Sequence, residues 1–307
     1  MSAYAALLAV KERLVREGAV AKGDLSLSES LLSGWTGFRT GGLAAVAQPT
    51  TERGLLALIG ALRAEKIPFF MLGNGTNVLA MDEGYDGVVV CVTRLKRMQV
   101  VGENLYAACG AGLTAASNFA EKNSLTGLEF GYGIPGTVGG AVFMNAGAYD
   151  GECKGVVRCV RALTPEGEIR EFSGEELGFS YRESVFQTNG CVILSAVFSL
   201  KKGDREAIRA KMEDFMSRRR DKQPLEYPSC GSTFKRCEGR YTAQMIDQAG
   251  LKGARVGGAM VSEKHAGFII NYDKASSRDI LSLIELVQKV IREKEGLDIA
   301  CEVRFLT

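Results

Sequence analysis

The stretch from Gly127 to Gly151, GLEFGYGIPGTVGGAVFMNAGAYDG, carries eight glycines. Glycine loses more chain entropy on ordering than any other residue, so such density asks for positive φ angles or backbone pressed close to a ligand. Pro135 stiffens the turn between Gly133 and Gly136. Asn145 stands among small residues, where its amide can reach a bound group. A tight structural loop is the alternative reading. A second candidate is Gly73-Asn74-Gly75-Thr76-Asn77, which follows the strand-like run from Ile67 to Leu72. A strand ending in such a loop makes a nest of N–H groups suited to phosphate, with a plain β-turn as the alternative. The loop lacks the Gly-Lys-Ser/Thr of a P-loop, so nucleoside-triphosphate hydrolysis is not indicated. Gly131 to Gly136 also spells the dinucleotide fingerprint GxGxxG. That fingerprint needs a strand before it and a helix opening at its end. Residues 123–129 are poor strand material, and Pro135 with Gly139-Gly140 argues against a regular helix, so the match is expected to be accidental.

Other chemistries have less support. Eight cysteines are scattered without CxxC pairs, and His265 is the single histidine, which argues against a zinc site; no metal is expected. The thiols read as reduced cytoplasmic cysteines. Lys and Arg number 38 against 36 Asp and Glu, a net charge of +2 that directs the chain to neither nucleic acid nor an anionic membrane. The run Arg218-Arg219-Arg220 is read as the cationic end of a helix. No apolar run reaches the ~20 residues of a membrane helix. The N-terminus interleaves Leu7, Leu8, Val10, Leu14 and Val15 with charges, as an amphipathic helix does and a signal peptide does not.

The elements that must position these residues follow from periodicity and punctuation. Leu43 to Thr50 reads as a strand ending at Pro49, and Thr50 or Thr51 caps a helix running to about Glu65. Strand-like segments follow at 87–92, 98–101 and 105–109, then a helix from about Thr114 to Lys122. Residues 156–163 and 168–172 form a hairpin around Thr164-Pro-Glu-Gly167, and 191–200 another strand. A helix spans about Arg205 to Lys222, stopped by Pro224. A short helix is expected around 243–249, and strands at 258–262 and 268–271. In the last long helix Ile280, Leu283, Ile284, Val287, Val290 and Ile291 keep i, i+3, i+4, i+7 spacing behind a Ser276/Asp279 capping box. A final strand, 299–306, carries Glu302. The pattern is α+β, without the βα alternation of a doubly wound sheet.

Taken together, FRTGG (38–42), GNGTNVL (73–79), GIPGTVGGAVFMNAGAY (133–149), YRES (181–184), CGSTFKR (230–236), IDQAGLKG (246–253) and CEVRF (301–305) resemble one family nearly end to end. It is the UDP-N-acetylenolpyruvoylglucosamine reductases (UDP-N-acetylmuramate dehydrogenases) of peptidoglycan precursor synthesis. The resemblance implies a two-part FAD-binding module of the vanillyl-alcohol-oxidase (PCMH) type and a smaller α/β substrate-binding domain. The module would occupy 1–203, in subdomains of about 20–80 and 81–203. The substrate domain would follow over 204–298, and 299–307 would return as a strand to the active site. Implied contacts to a dissociable, non-covalent FAD are Arg39, Thr40, Gly73, Asn74, Gly75, Thr76, Asn77 and Val78. In the glycine stretch they are Gly133, Ile134, Pro135, Gly136, Thr137, Gly139, Gly140, Asn145, Ala146 and Gly147. NADPH is the implied reductant.

The resemblance also implies three catalytic residues: Ser232 as general acid, with Arg182 and Glu302 stabilising and orienting the intermediate. Hydride arriving at the outer carbon of a vinyl ether beside a carboxylate leaves an enolate-like charge that an arginine can neutralise, after which a hydroxyl supplies a proton. From the residues alone, the serine also fits a turn, the arginine a surface ion pair and the glutamate a solvated strand position. Tyr132, Arg182, Lys222, Arg236, Lys252 and His265 are the implied substrate contacts; Arg236 and His265 stand where some members have asparagine and glutamine. Only about forty residues separate Arg182 from Lys222, the length of the shorter subtype that lacks a tyrosine-bearing loop. The expected ligand is a small sugar nucleotide in the cytoplasm, with no nucleic acid, membrane or obligate protein partner. An FAD-dependent oxidase or dehydrogenase of the same fold, and a silent nucleotide-binding protein, are the rivals.

Overall fold

Ser2 caps the amphipathic start of the chain by accepting from the Ala5 N–H, and helix α1 (Ala3–Arg16) buries Leu7, Val10 and Leu14 while Leu8 stays exposed. The computed structural model describes residues 2–149, 151–237 and 239–307. The chain forms two compact units, one of Met1–Ser28, Ala45–Asn74 and Gly87–Arg218, the other of Glu29–Ala44, Gly75–Asp86 and Arg219–Thr307.

Unit one holds most of a four-stranded sheet in the order Leu25–Leu31, Leu43–Pro49, Tyr85–Cys91, Phe69–Leu72. Helix α2 (Glu52–Ala64) starts at Thr51, whose side chain accepts from the Gly54 N–H, and buries Leu55, Leu58, Ile59 and Leu62. The pairing of Phe69–Leu72 with Tyr85–Cys91 is parallel, Leu72 opposite Cys91, so the strand delivers its end directly into Gly73-Asn74. A five-stranded antiparallel sheet follows in the order Ile169–Ser173, Val157–Leu163, Val192–Ser199, Asn104–Ala108, Met98–Val101. The expected hairpin closes with Leu163 opposite Ile169. Helices α3 (Leu113–Lys122) and α4 (Val138–Phe143) border the glycine stretch, and α5 (Arg205–Lys222) ends where the sequence stops it. One core runs from Leu7 through Leu55, Val90 and Leu113 to Phe198 and Leu200.

Unit two packs helices α6 (Thr242–Gln248) and α7 (Ser277–Glu295) with a three-stranded antiparallel sheet of Arg255–Val256, Ala259–Val261 and Ile269–Asn271. The capping box at Ser276 and Asp279 forms, and Ile280, Leu283, Ile284, Val287 and Ile291 are buried in the core with Phe38, Leu79 and Val303.

Two expectations need correction, and one strand lies outside them. A regular helix does follow GxGxxG: Thr137 caps α4 by accepting from Gly140 N–H at 3.2 Å, and buried Val138, Ala141 and Val142 outweigh the low propensity of Gly139-Gly140. It is only six residues long, and the strand before it is the two-residue Leu125–Thr126, so the fingerprint is still not that of a dinucleotide unit. The terminal strand is confined to Arg304–Leu306, parallel to Val78–Ala80, with an isolated bridge at Cys301, so Glu302 lies between them. The strand Leu25–Leu31 has no counterpart in the expectations; its polar alternation, LSLSESL, hid it. Between Arg182 and Lys222 the chain consists of a short 3-10 turn, the strands Val192–Ser199 and Lys201–Lys202, and α5.

Candidate active site

Four of the eight glycines of the 127–151 stretch make room for other parts of the protein. A Cβ at Gly131 would lie 2.8 Å from Ser117 Oγ, at Gly139 3.0 Å from Cys109 Cβ, and at Gly151 2.6 Å from the Phe130 ring. Gly73 is excluded from larger side chains by Thr137 Oγ1, 2.5 Å from its would-be Cβ, and the Asn74 amide donates to Pro135 O at 2.6 Å. The 73–74 and 133–137 loops of unit one are therefore tied together. Thr114, in the first turn of α3, adds two bonds: its Oγ1 accepts from Gly133 N–H and donates to Ile134 O, both at 3.1 Å. Val138 and Gly139 donate their N–H groups to Ala111 O and Cys109 O at 2.7 and 2.8 Å. Gly140 differs. It is exposed, and a Cβ there would meet only Thr137 Oγ1, at 3.4 Å.

Asn145 is fully buried and sits at φ 41°, a conformation asparagine tolerates better than most residues. Its Nδ2 donates to Ser180 O at 2.8 Å and Glu152 Oε2 at 3.2 Å, and its Oδ1 accepts from Lys154 N–H at 2.9 Å. The amide is thus engaged by protein groups, and it couples the glycine stretch to the turn that carries Arg182. That turn is closed by reciprocal backbone bonds between Ser180 and Glu183, with Arg182 at φ 58°. The Arg182 guanidinium donates to Gly147 O at 3.2 Å and lies 5.1 Å from the Tyr181 ring centroid. Ser184 Oγ and Gln187 Nε2 both donate to Phe143 O, at 2.8 and 2.9 Å.

Helix α5 supports the same region. Glu129, 3% exposed, accepts from the Thr126 hydroxyl and from Gly127 N–H at 3.0 Å, with Lys211 Nζ 3.8 Å away. The Arg209 guanidinium lies 5.8 Å from the Tyr132 ring centroid, and Phe215 stacks on Tyr149 with centroids 4.6 Å apart.

In unit two, Thr40 is buried and its Oγ1 donates to Ala80 O at 3.1 Å, while Thr36 Oγ1 donates to Thr40 O at 2.8 Å. Arg39 is exposed at φ 58°. Gly75 sits at φ 65° with Trp35 O 2.0 Å from a would-be Cβ, a position only glycine fits. Among the described residues no group accepts a hydrogen bond from the N–H groups of Gly75, Thr76 or Asn77. A run of N–H groups beside a left-handed glycine is the type of donor set that would hold an anion, and a pyrophosphate such as that of FAD would match it. The buried Cys230 thiol donates to Val78 O at 3.4 Å, and burial pushes its pKa up to about 12, so it is a packing group there and not a nucleophile.

Ser232 and Glu302 come together through the backbone. Glu302 N–H donates to Thr233 O at 2.8 Å, Lys235 N–H to Ala300 O at 2.8 Å, and Phe234 bridges Cys301. Thr233 is fully buried, and its Oγ1 accepts from Ile269 N–H at 3.1 Å, which pins the segment to the three-stranded sheet. Ser232 itself is exposed after Gly231 at φ 75°, its Oγ making a long 3.5 Å contact to Phe234 O. Asn77 joins this group, its amide donating to Glu302 O at 3.2 Å and its carbonyl accepting from Arg304 N–H at 3.0 Å.

Burial lowers the His265 pKa; Nδ1 accepts from Gly267 N–H at 3.1 Å, which leaves the ring proton on Nε2. Lys252 pairs with Asp247 at 2.7 Å, Arg236 lies 5.1 Å from the Tyr241 ring centroid, and Lys222 is exposed in the last turn of α5. Arg182 belongs to unit one, and Ser232 and Glu302 belong to unit two. Among the described residues no three His, Cys, Asp or Glu side chains gather as metal ligands, and no helix is long and apolar enough to cross a membrane. The supporting residues Thr114, Ser180, Gln187 and Thr233 had no signal in the sequence beyond their nearness to motif residues.

Comparison with known proteins places a name on this arrangement of loops. The profile described as "FAD binding domain" matches residues 43–173, and that described as "UDP-N-acetylenolpyruvoylglucosamine reductase, C-terminal domain" matches 223–306. The chain is 48% identical over 277 residues to the UDP-N-acetylenolpyruvoylglucosamine reductase of Clostridium novyi, covering 90% of each. It is likewise 48% identical over 286 residues to that of Caldanaerobacter subterraneus, covering 93% of this chain and 94% of the relative. The crystal structure of the reductase from Thermus caldophilus superposes with a TM-score of 0.81 at 32% identity, over 92% of this chain and all of that one. The α+β reading and the FAD-binding module are borne out.

Proposed function

The chain belongs to the UDP-N-acetylenolpyruvoylglucosamine reductase family, and on that premise we propose that Arg182, Ser232 and Glu302 carry its chemistry. The reaction is reduction of the enolpyruvyl ether of UDP-N-acetylglucosamine enolpyruvate to UDP-N-acetylmuramate, in peptidoglycan precursor synthesis. FAD, when bound, supplies the two-electron chemistry that links NADPH to the outer carbon of the enol ether. The FAD-contact residues read from the sequence are retained in this proposal, except that the buried Asn145 amide, engaged by protein groups, holds the loop instead of touching the cofactor. Cofactor binding over 1–203, substrate binding over 204–298 and return of 299–307 to the active site are retained too. The cofactor is held without a covalent tether.

Each residue is suited to a distinct part. The single observation that carries the reading is Arg182, a non-glycine residue held at φ 58° with its guanidinium against Gly147 O in the glycine stretch. Backbone strain of this kind costs about 1–3 kcal/mol and persists where the surroundings over-determine it, often at functional sites. A guanidinium fixed in this way can take a carboxylate through paired, charge-assisted hydrogen bonds and stabilise the enolate-like charge that develops on it. The exposed Ser232 hydroxyl rotates readily, because its intramolecular contact is long, and it gives the proton to the inner carbon. Glu302, anchored through Thr233, orients the substrate and the Ser232 hydroxyl. Tyr132, Lys222, Arg236, Lys252 and His265 are assigned to the sugar nucleotide, His265 as a neutral Nε2–H donor. The eight free thiols fit a cytoplasmic enzyme, and the reading requires no membrane, nucleic acid or protein partner.

Ser232→Ala tests the assignment. Flavin reduction by NADPH is expected to stay within about twofold, while enol-ether turnover falls by about 10²–10⁴-fold, the range for losing a general acid. Equal loss in both half-reactions overturns the role of Ser232.

A further inference from the structure

We propose that Gln187 is a positioning residue for Arg182, fixing the main chain of the arginine while Gly147 receives its guanidinium. The inference rests on the catalytic reading of Arg182. Gln187 closes the 3-10 turn Val185–Gln187, and its Nε2 donates to Arg182 O at 2.9 Å and to Phe143 O at 2.9 Å. A primary amide has two N–H donors, and both are used. The two acceptors are unlike each other. Phe143 O belongs to the last residue of α4, where a helix leaves its carbonyls without intrahelical partners. Arg182 O belongs to a residue at φ 58°, which relaxes toward ordinary backbone geometry if nothing holds it.

Gln187 therefore joins the end of α4, which is the end of the glycine stretch's helix, to the strained residue of the YRES turn. Two neighbours make the connection specific. Ser184 Oγ also donates to Phe143 O, at 2.8 Å, so that carbonyl keeps a partner when Gln187 is replaced. Phe186, 3% exposed, packs against Phe172 with centroids 5.2 Å apart and keeps the 3-10 turn in place without Gln187. Loss of the amide thus falls on Arg182 more than on the fold. A guanidinium that must meet a carboxylate in two parallel hydrogen bonds is sensitive to such a loss, since displacement by about 1 Å in a catalytic constellation costs on the order of 100-fold in rate.

The experiment separates the half-reactions under anaerobic stopped flow, in the FAD-loaded enzyme, for Gln187→Leu, Gln187→Glu, Gln187→Lys and Arg182→Ala. Gln187→Leu keeps the volume and removes both donors. Its flavin reduction by NADPH is expected to stay within about twofold, and its reoxidation by the enolpyruvyl sugar nucleotide to fall by about 10–100-fold. Gln187→Glu turns a donor into an anion facing two carbonyl oxygens and falls at least as far. Gln187→Lys restores N–H donors and recovers most of the rate, which a purely space-filling role would not allow. Reoxidation at the parent rate in Gln187→Leu, with Arg182→Ala inactive, overturns the positioning role and leaves Arg182 catalytic. Equal loss of both half-reactions in Gln187→Leu, unrelieved by lysine, overturns it as well. Parent-rate reoxidation in Arg182→Ala overturns the reading of Arg182, and this inference with it.

Discussion

Replacing Asn145 tests how the glycine stretch is held. Its amide makes three hydrogen bonds from a fully buried position. At about 1 kcal/mol net for each, Asn145→Ala loses about 3 kcal/mol, and leaving the Lys154 N–H without its acceptor raises this toward about 5 kcal/mol. Alanine must also hold φ 41°, which costs an L residue about 1–2 kcal/mol that glycine does not incur. Asn145→Gly loses the same bonds without that strain. The glycine variant is therefore expected to be at least as stable as the alanine variant, the reverse of the order in an ordinary helix.

The assay is thermal unfolding of both variants beside the parent, in the FAD-free protein so that ligand binding does not contribute. For a chain of this order of size 1 kcal/mol moves Tm by roughly 2–4 °C, so a loss of about 3–5 kcal/mol should make Asn145→Ala melt about 6–20 °C below the parent. Both variants melting within about 3 °C of the parent, or alanine clearly above glycine, would refute the reasoning.

Four further outcomes follow from other places in the chain. Gly75→Ala puts a Cβ 2.0 Å from Trp35 O at φ 65° and should cost about 2–4 kcal/mol of stability, whereas Gly140→Ala meets only Thr137 Oγ1, at 3.4 Å, and should leave the FAD-free protein unharmed while weakening FAD binding, read by flavin titration. Ser276→Ala removes the acceptor for Asp279 N–H at the start of α7 and should lower stability by about 1 kcal/mol in urea titration; no change would show that the cap is idle. Burial lowers the folded-state pKa of His265 from 6.5, so the unfolded chain takes up a proton first as pH falls: the parent should lose stability below about pH 6.5, down to the folded pKa, relative to His265→Gln, and parallel stability–pH curves would contradict this.

What could be read from the sequence depended on whether an element announces itself locally. The boundaries of α5 and the capping box of α7 were legible because a proline stop and a serine–aspartate pair act within one turn. The hairpin around Thr164–Gly167 was legible for the same reason. Helix α4 is not legible in its sequence because its stability comes from burying Val138, Ala141 and Val142, a tertiary effect that overrides glycine propensity. Strand Leu25–Leu31 was invisible because four of its seven residues are polar and it is recognisable only by its partner, Leu43–Pro49. At the site, the motif residues could be located, but their supports could not. Thr233 and Gln187 matter through carbonyls and N–H groups far along the chain, as in the Glu302 to Thr233 bond and the Gln187 to Phe143 bond, and no spacing rule encodes such a contact. The glycine density marks close-approach positions, and the fold shows that at Gly73, Gly131, Gly139 and Gly151 the approach is to protein atoms.

The most direct test of the central claim is anaerobic. The purified protein loaded with FAD is bleached with NADPH, and the enolpyruvyl sugar nucleotide is then added while the flavin absorbance is followed. The account predicts return of the oxidised spectrum without oxygen, with formation of UDP-N-acetylmuramate in equal amount. A flavin that is reduced by NADPH but stays bleached after the sugar nucleotide is added would contradict it.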